Sequence, residues 1–106
     1  MPAYVAAKHG VVGITKVAAI ELAPNRIGVN CLCPSGMAGT EMFRDVATRL
    51  GKGDHDSGLA KIMTTLPGGH AATPADVAAV ATFLLLDAPS TLSGIIVPVD
   101  AAETAG

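Results

Sequence analysis

The chain has 106 residues, half of them hydrophobic, and a formal net charge of −2. That is enough for one small domain, and it excludes a disordered or polyionic chain. It also leaves no basic footprint for nucleic acid or an anionic membrane.

Residues 3–23 read as a helix, with Val5, Val12, Ile20 and Leu22 as apolar anchors, Ala between them and Pro24 at its end. Gly10 and Gly13 each weaken it by up to ~1 kcal/mol relative to Ala, unless they admit another element at close range. The stretch "RIGVNCLC", 26–33, predicts a strand buried on both faces, which favours a parallel sheet. Its Cys31 and Cys33 would sit roughly 6.8 Å apart at Cα, the far limit for a disulfide. They are read as reduced thiols in a cytoplasmic protein.

"PSGMAGT", 34–40, reads as a loop, followed by short helices over 41–50 and 57–65 with "GKGDHDSG" between them. "LPGGHAATP", 66–74, is a linker. Thr73 as N-cap, Pro74 at the first helical position and Asp76 in the first turn start a helix over 74–87. Its apolar run, 77–86, is about half the ~20 residues that span a bilayer. Residues 1–20 have no uninterrupted apolar core, so no secretory signal is read there. "SGIIVPV", 93–99, reads as a last strand, with Pro98 marking an edge position or a strand end. The crossover helix between the strands predicts a parallel, right-handed connection.

Tyr4 and Lys8 are one helical turn apart and share a face. An ammonium ~5 Å from a phenol favours the phenolate by about 3 kcal/mol at an effective dielectric of ~20. That makes the phenol a usable proton donor and acceptor nearer neutral pH. The same spacing arises by chance in many helices.

The run "YVAAKHGVVGITKVAAIELAPNRIGVNCLCPSG" resembles the second half of a short-chain dehydrogenase/reductase, which has Y-x-x-x-K on a long helix and then a strand ending near Pro-Gly. The likeness continues through "ATPADVAAVATFLLLDAPSTLSGIIVPVDAA" and covers nearly the whole chain. It implies an α/β fold, the C-terminal part of a Rossmann-like doubly wound parallel sheet. It implies an NAD- or NADP-dependent oxidoreductase acting on a small alcohol or ketone. Tyr4 would be the general acid/base. Lys8 would support it and hydrogen-bond the nicotinamide ribose. Pro34, Ser35, Gly36 and Met37 would line the nicotinamide, and Thr40 would contact its carboxamide or the pyrophosphate. Residues 41–66 would form the substrate loop. There Met42, Phe43, Leu59, Ile62 and Met63 either line an apolar pocket or are the buried sides of two small helices. Helix 3–23 and strand 94–100 would form contacts in a homo-oligomer.

Some positions depart from the family pattern. Gly28 and His70 stand where many relatives have Arg, and Ala101 and Ala102 stand where relatives often have two glycines. Residues 1–106 read as one part of a single domain whose Gly-rich, cofactor-binding N-terminal half is absent. With it are absent the family's catalytic serine and any residue that chooses NAD over NADP. Alone, the chain is expected to be poorly stable, oligomeric or aggregation-prone. The competing reading is therefore a truncated, non-catalytic remnant or an oligomerisation fragment. A hydrolase using Ser35 lacks a positioned base. His9, His55 and His70 with Cys31 and Cys33 have no recognised ligand spacing, so no metal site is expected.

Overall fold

The computed structural model describes residues 1–105 as two compact units. The first comprises Met1–Cys33 and Ala81–Val97. Helix α1, Pro2–Leu22, has Pro2 in its first turn, where a missing N–H costs nothing. Only Thr15 and Ala19 of its 21 residues are buried. Among the described residues, no atom outside the helix's own local backbone lies within 4 Å of where a Cβ would stand on Gly10 or Gly13, so no described element packs closely on them. A 3-10 turn, Ala23–Asn25, closes the helix, and Arg26 adopts a left-handed conformation at φ 57°.

Strand β1 is shorter than the sequence predicts, Cys31–Pro34, and it is not buried on both faces. Its exposure rises from buried Cys31 to exposed Pro34. The reason lies in residues 26–30. Left-handed Arg26 breaks the extended run, and side chains replace ladder bonds. Val29 N donates to Ser93 Oγ at 3.0 Å. The Asn30 amide donates to the Leu92 carbonyl at 3.0 Å and accepts from Ile95 N at 3.2 Å. Strand β2, Ile96–Val99, pairs with β1 in a two-stranded sheet. Cys31 N bonds the Ile95 carbonyl and Ser35 N the Val99 carbonyl, at a constant offset, so the strands are parallel. Pro98 is an exposed residue inside β2; a two-stranded sheet has only edges, so its missing N–H is tolerated.

The second unit comprises Pro34–Val80 and, among the described residues, 98–105. Helix α2, Glu41–Leu50, occupies the predicted range. Thr40 caps it by accepting from Phe43 N, Glu41 lies in its first turn and Arg49 in its last. Helix α3, His55–Thr65, begins earlier than the predicted 57 because Asp54 caps it through Ser57 N. The two pack as a hairpin around Phe43, Leu66 and Ala71, flanked by Ala38, Leu59, Ile62 and Met63. Phe43, Leu59, Ile62 and Met63 are therefore the buried sides of small helices, whereas Met42 is 70% exposed.

Helix α4, Pro74–Thr82, starts on a reciprocal cap: Thr73 N and Oγ1 each donate to Asp76 Oδ2 at 2.8 Å, and Asp76 N donates back to Thr73 Oγ1. These bonds hold the Asp76 carboxyl below the usual carboxylate range. The predicted helix 74–87 is regular only to Thr82 and ends in a wide π-type turn, Phe83–Asp87.

Candidate active site

Tyr4 and Lys8 both lie in the N-terminal third of α1. The Lys8 ammonium stands over the Tyr4 ring, 5.4 Å from its centroid, a cation–π arrangement. The two side chains are thus close, with the charge over the ring face and not at the hydroxyl. Tyr4 is 50% exposed and Lys8 is exposed.

The donor set suits a ribose. An exposed ammonium offers three N–H donors, and a phenol both donates and accepts. His9, on the same helix, is engaged locally, its Nδ1 lying 2.9 Å from the Val5 carbonyl.

The loop after β1 carries a second group of candidate residues. Pro34 and Gly36 are exposed. Ser35 N donates to the Val99 carbonyl at 3.4 Å, while Ser35 Oγ is buried without a hydrogen-bond partner among the described residues. A Cβ on Gly36 would stand 3.0 and 3.2 Å from the Phe43 ring. A side chain at that position would press on the hairpin core, and the Phe43 ring would have to give by a few tenths of an ångström. The Met37 carbonyl accepts from Thr40 N at 3.3 Å and from Thr40 Oγ1 at 2.8 Å. Thr40 Oγ1 in turn accepts from Phe43 N at 3.3 Å. Its one hydroxyl proton is therefore committed to the loop, and only a lone pair is left for a ligand.

Cys33 was not singled out by the sequence as a neighbour of this chemistry. Burial pushes its thiol up, the bond and charge of Cys31 push it further, and the Lys8 ammonium pulls it back. Lys8 is thus within electrostatic reach of β1. Alternation along β1 puts the two cysteines on one face, and nothing in their spacing points to Lys8. Among the described residues, no three His, Cys, Asp or Glu side chains converge to hold a metal ion. An open groove of about 540 Å³ lies along the C-terminal half of α1, lined by Lys16, Ala19, Ile20, Ala23, Ser93 and Gly94. Tyr4 and Lys8 do not line it.

Residues 1–102 match the family described as Enoyl-(Acyl carrier protein) reductase. D-beta-hydroxybutyrate dehydrogenase of Cupriavidus necator is 36% identical over 97 residues, which cover 89% of this chain and 38% of that protein. Inactive 2-(S)-hydroxypropyl-CoM dehydrogenase 2 of Xanthobacter autotrophicus is 39% identical over 106 residues, covering 99% and 44%. The crystal structure of NAD+-bound xylitol dehydrogenase superposes with a TM-score of 0.80 at 27% identity, covering 95% of this chain and 42% of that one. The chain spans about two fifths of the length of the curated relatives it matches. With its parallel α/β architecture, the chain belongs to the short-chain dehydrogenase/reductase family and corresponds to the C-terminal portion of that family's Rossmann-like domain.

Proposed function

We infer that this chain is the proton-transfer portion of an NAD(P)-dependent oxidoreductase that interconverts a small secondary alcohol and its ketone. The observation that carries the reading is the Lys8 ammonium held over the Tyr4 ring one turn away. When bound, the nicotinamide supplies or accepts the hydride. In reduction Tyr4 Oη gives its proton to the carbonyl oxygen, and in oxidation it takes the proton back. Lys8 stabilises the phenolate left behind and offers N–H donors to the cofactor ribose. Pro34, Ser35, Gly36 and Met37 would form the wall beside the nicotinamide. Thr40, whose proton is already used, would contribute at most an acceptor. Residues 41–66 would cover the substrate, with exposed Met42 the side chain available to touch it.

A homo-oligomer through α1 and residues 94–100 accompanies this reading, as does a cytoplasmic, reducing setting for the free thiols Cys31 and Cys33. Among the described residues no helix is long and apolar enough to cross a membrane. A non-catalytic role is the second reading, favoured by the 39% identity to a relative named as inactive.

The test is turnover by the protein expressed from its complete gene, assayed with NADH and NADPH against a panel of small ketones. Tyr4→Phe is expected to lower kcat by about 10²–10⁴-fold, while cofactor binding is largely retained. Turnover at the wild-type rate in Tyr4→Phe removes Tyr4 from the mechanism. No turnover in the wild type, with cofactor bound, favours the second reading. The 106-residue chain by itself is expected to give no saturable change in nicotinamide fluorescence.

A further inference from the structure

Cys31 and Cys33 alternate with Leu32 on β1, so their side chains leave the strand on one face. Both are free thiols, and their sulfurs stand 3.8 Å apart. A disulfide needs a separation near 2.05 Å, and residues i and i+2 of an extended strand lie at the outer limit of disulfide geometry. Direct closure therefore requires β1 to buckle. An atom bonded to both sulfurs at about 2.3 Å spans the 3.8 Å gap with an angle of about 110°, and the strand need not move. That angle suits a pyramidal or tetrahedral centre, and thiolates select soft ones.

We propose that Cys31 and Cys33 form a two-thiol chelating site for trivalent arsenic and other soft centres that bond two thiolates. With an arsenoxide, R–As=O, two As–S bonds form and the As=O bond breaks. Both thiol protons leave with the oxygen as water, and arsenic stays trivalent. The site does not depend on the oxidoreductase reading.

Phenylarsine oxide is the probe, added to the 106-residue chain, whose only two cysteines are these. The expected result is a one-to-one adduct by mass spectrometry with both thiols lost to titration. It should resist mercaptoethanol and be released by 2,3-dimercaptopropanol. Cys31→Ser and Cys33→Ser, checked for folding by circular dichroism, should each bind at least ~10²-fold more weakly, because the second bond is intramolecular. Wild-type affinity in either variant would overturn the proposal. So would binding no tighter than that of the urea-unfolded chain, since the sulfur spacing set by β1 is the claim.

Discussion

Ala101 and Ala102 follow β2 with φ of 51° and 68°, in the left-handed region that a Cβ disfavours. Their conformation is held from Asp100, a buried carboxylate that accepts from Ala102 N and Thr104 N, both at 3.1 Å, and from the Thr104 hydroxyl. The Thr104 hydroxyl is the main reason the Asp100 carboxyl is held below its ordinary range. These are the two positions where family members often carry glycine, and the positive φ values show why alanine is costly there. A left-handed residue with a Cβ is disfavoured by roughly 1–2 kcal/mol, and glycine's extra freedom in the unfolded chain offsets about 0.5–1 kcal/mol of the relief. The double variant Ala101→Gly/Ala102→Gly should therefore be more stable by about 1 kcal/mol. Thermal unfolding decides it: a Tm below that of the wild type would mean that Asp100 already relieves the strain.

Two glycines in helices have opposite meanings that the sequence could not distinguish. A Cβ on Gly58 in α3 would stand 1.6 Å from the Ala47 carbonyl oxygen and 2.8 Å from Gly51 N, all rigid backbone. Gly58→Ala should force α2 and α3 apart at a cost of about 3 kcal/mol. A Cβ on Gly10 in α1 would meet nothing within 4 Å among the described residues outside its own local backbone, so Gly10→Ala should add about 1 kcal/mol through helix propensity alone. Urea unfolding of the two variants should move the midpoint in opposite directions; a shift of the same sign in both would refute the packing described for α3. Legibility followed the same division. Local chemistry was readable: the α2 range, the Thr73–Asp76 cap and the Tyr4–Lys8 spacing depend on residues three or four apart. Features set by distant partners were not. The first half of the predicted strand was lost to left-handed Arg26 and to the Asn30 amide reaching Leu92 and Ile95. The π-type turn at Phe83–Asp87 hid in an apolar run without punctuation. The family resemblance implies a ligand contact for Thr40, whereas its role as a cap, like the fit of Gly36 against Phe43, depends on where α2 lies.

At the scale of the whole molecule, α1 is apolar around most of its circumference. Val11, Ile14, Val17 and Ile20 are 49%, 70%, 55% and 76% exposed, and successive members of that series turn by about 60° around the helix. A helix with that distribution is one that is buried in its working state. If a second copy supplies the cover, burying these side chains is worth roughly 1.5–3 kcal/mol each relative to water, ample to drive association at micromolar concentration. Sedimentation velocity of the 106-residue chain should therefore show dimers or larger species. Ile14→Lys/Ile20→Lys should shift it toward monomer, because each buried lysine would have to shed its hydration without a partner. The substitutions lie on exposed positions, so helicity by circular dichroism should hold within error. A wild-type chain that stays monomeric at about 50 μM would remove self-association through α1. A variant that still associates as the wild type does would move the contact off this helix, to the edge presented by residues 94–100.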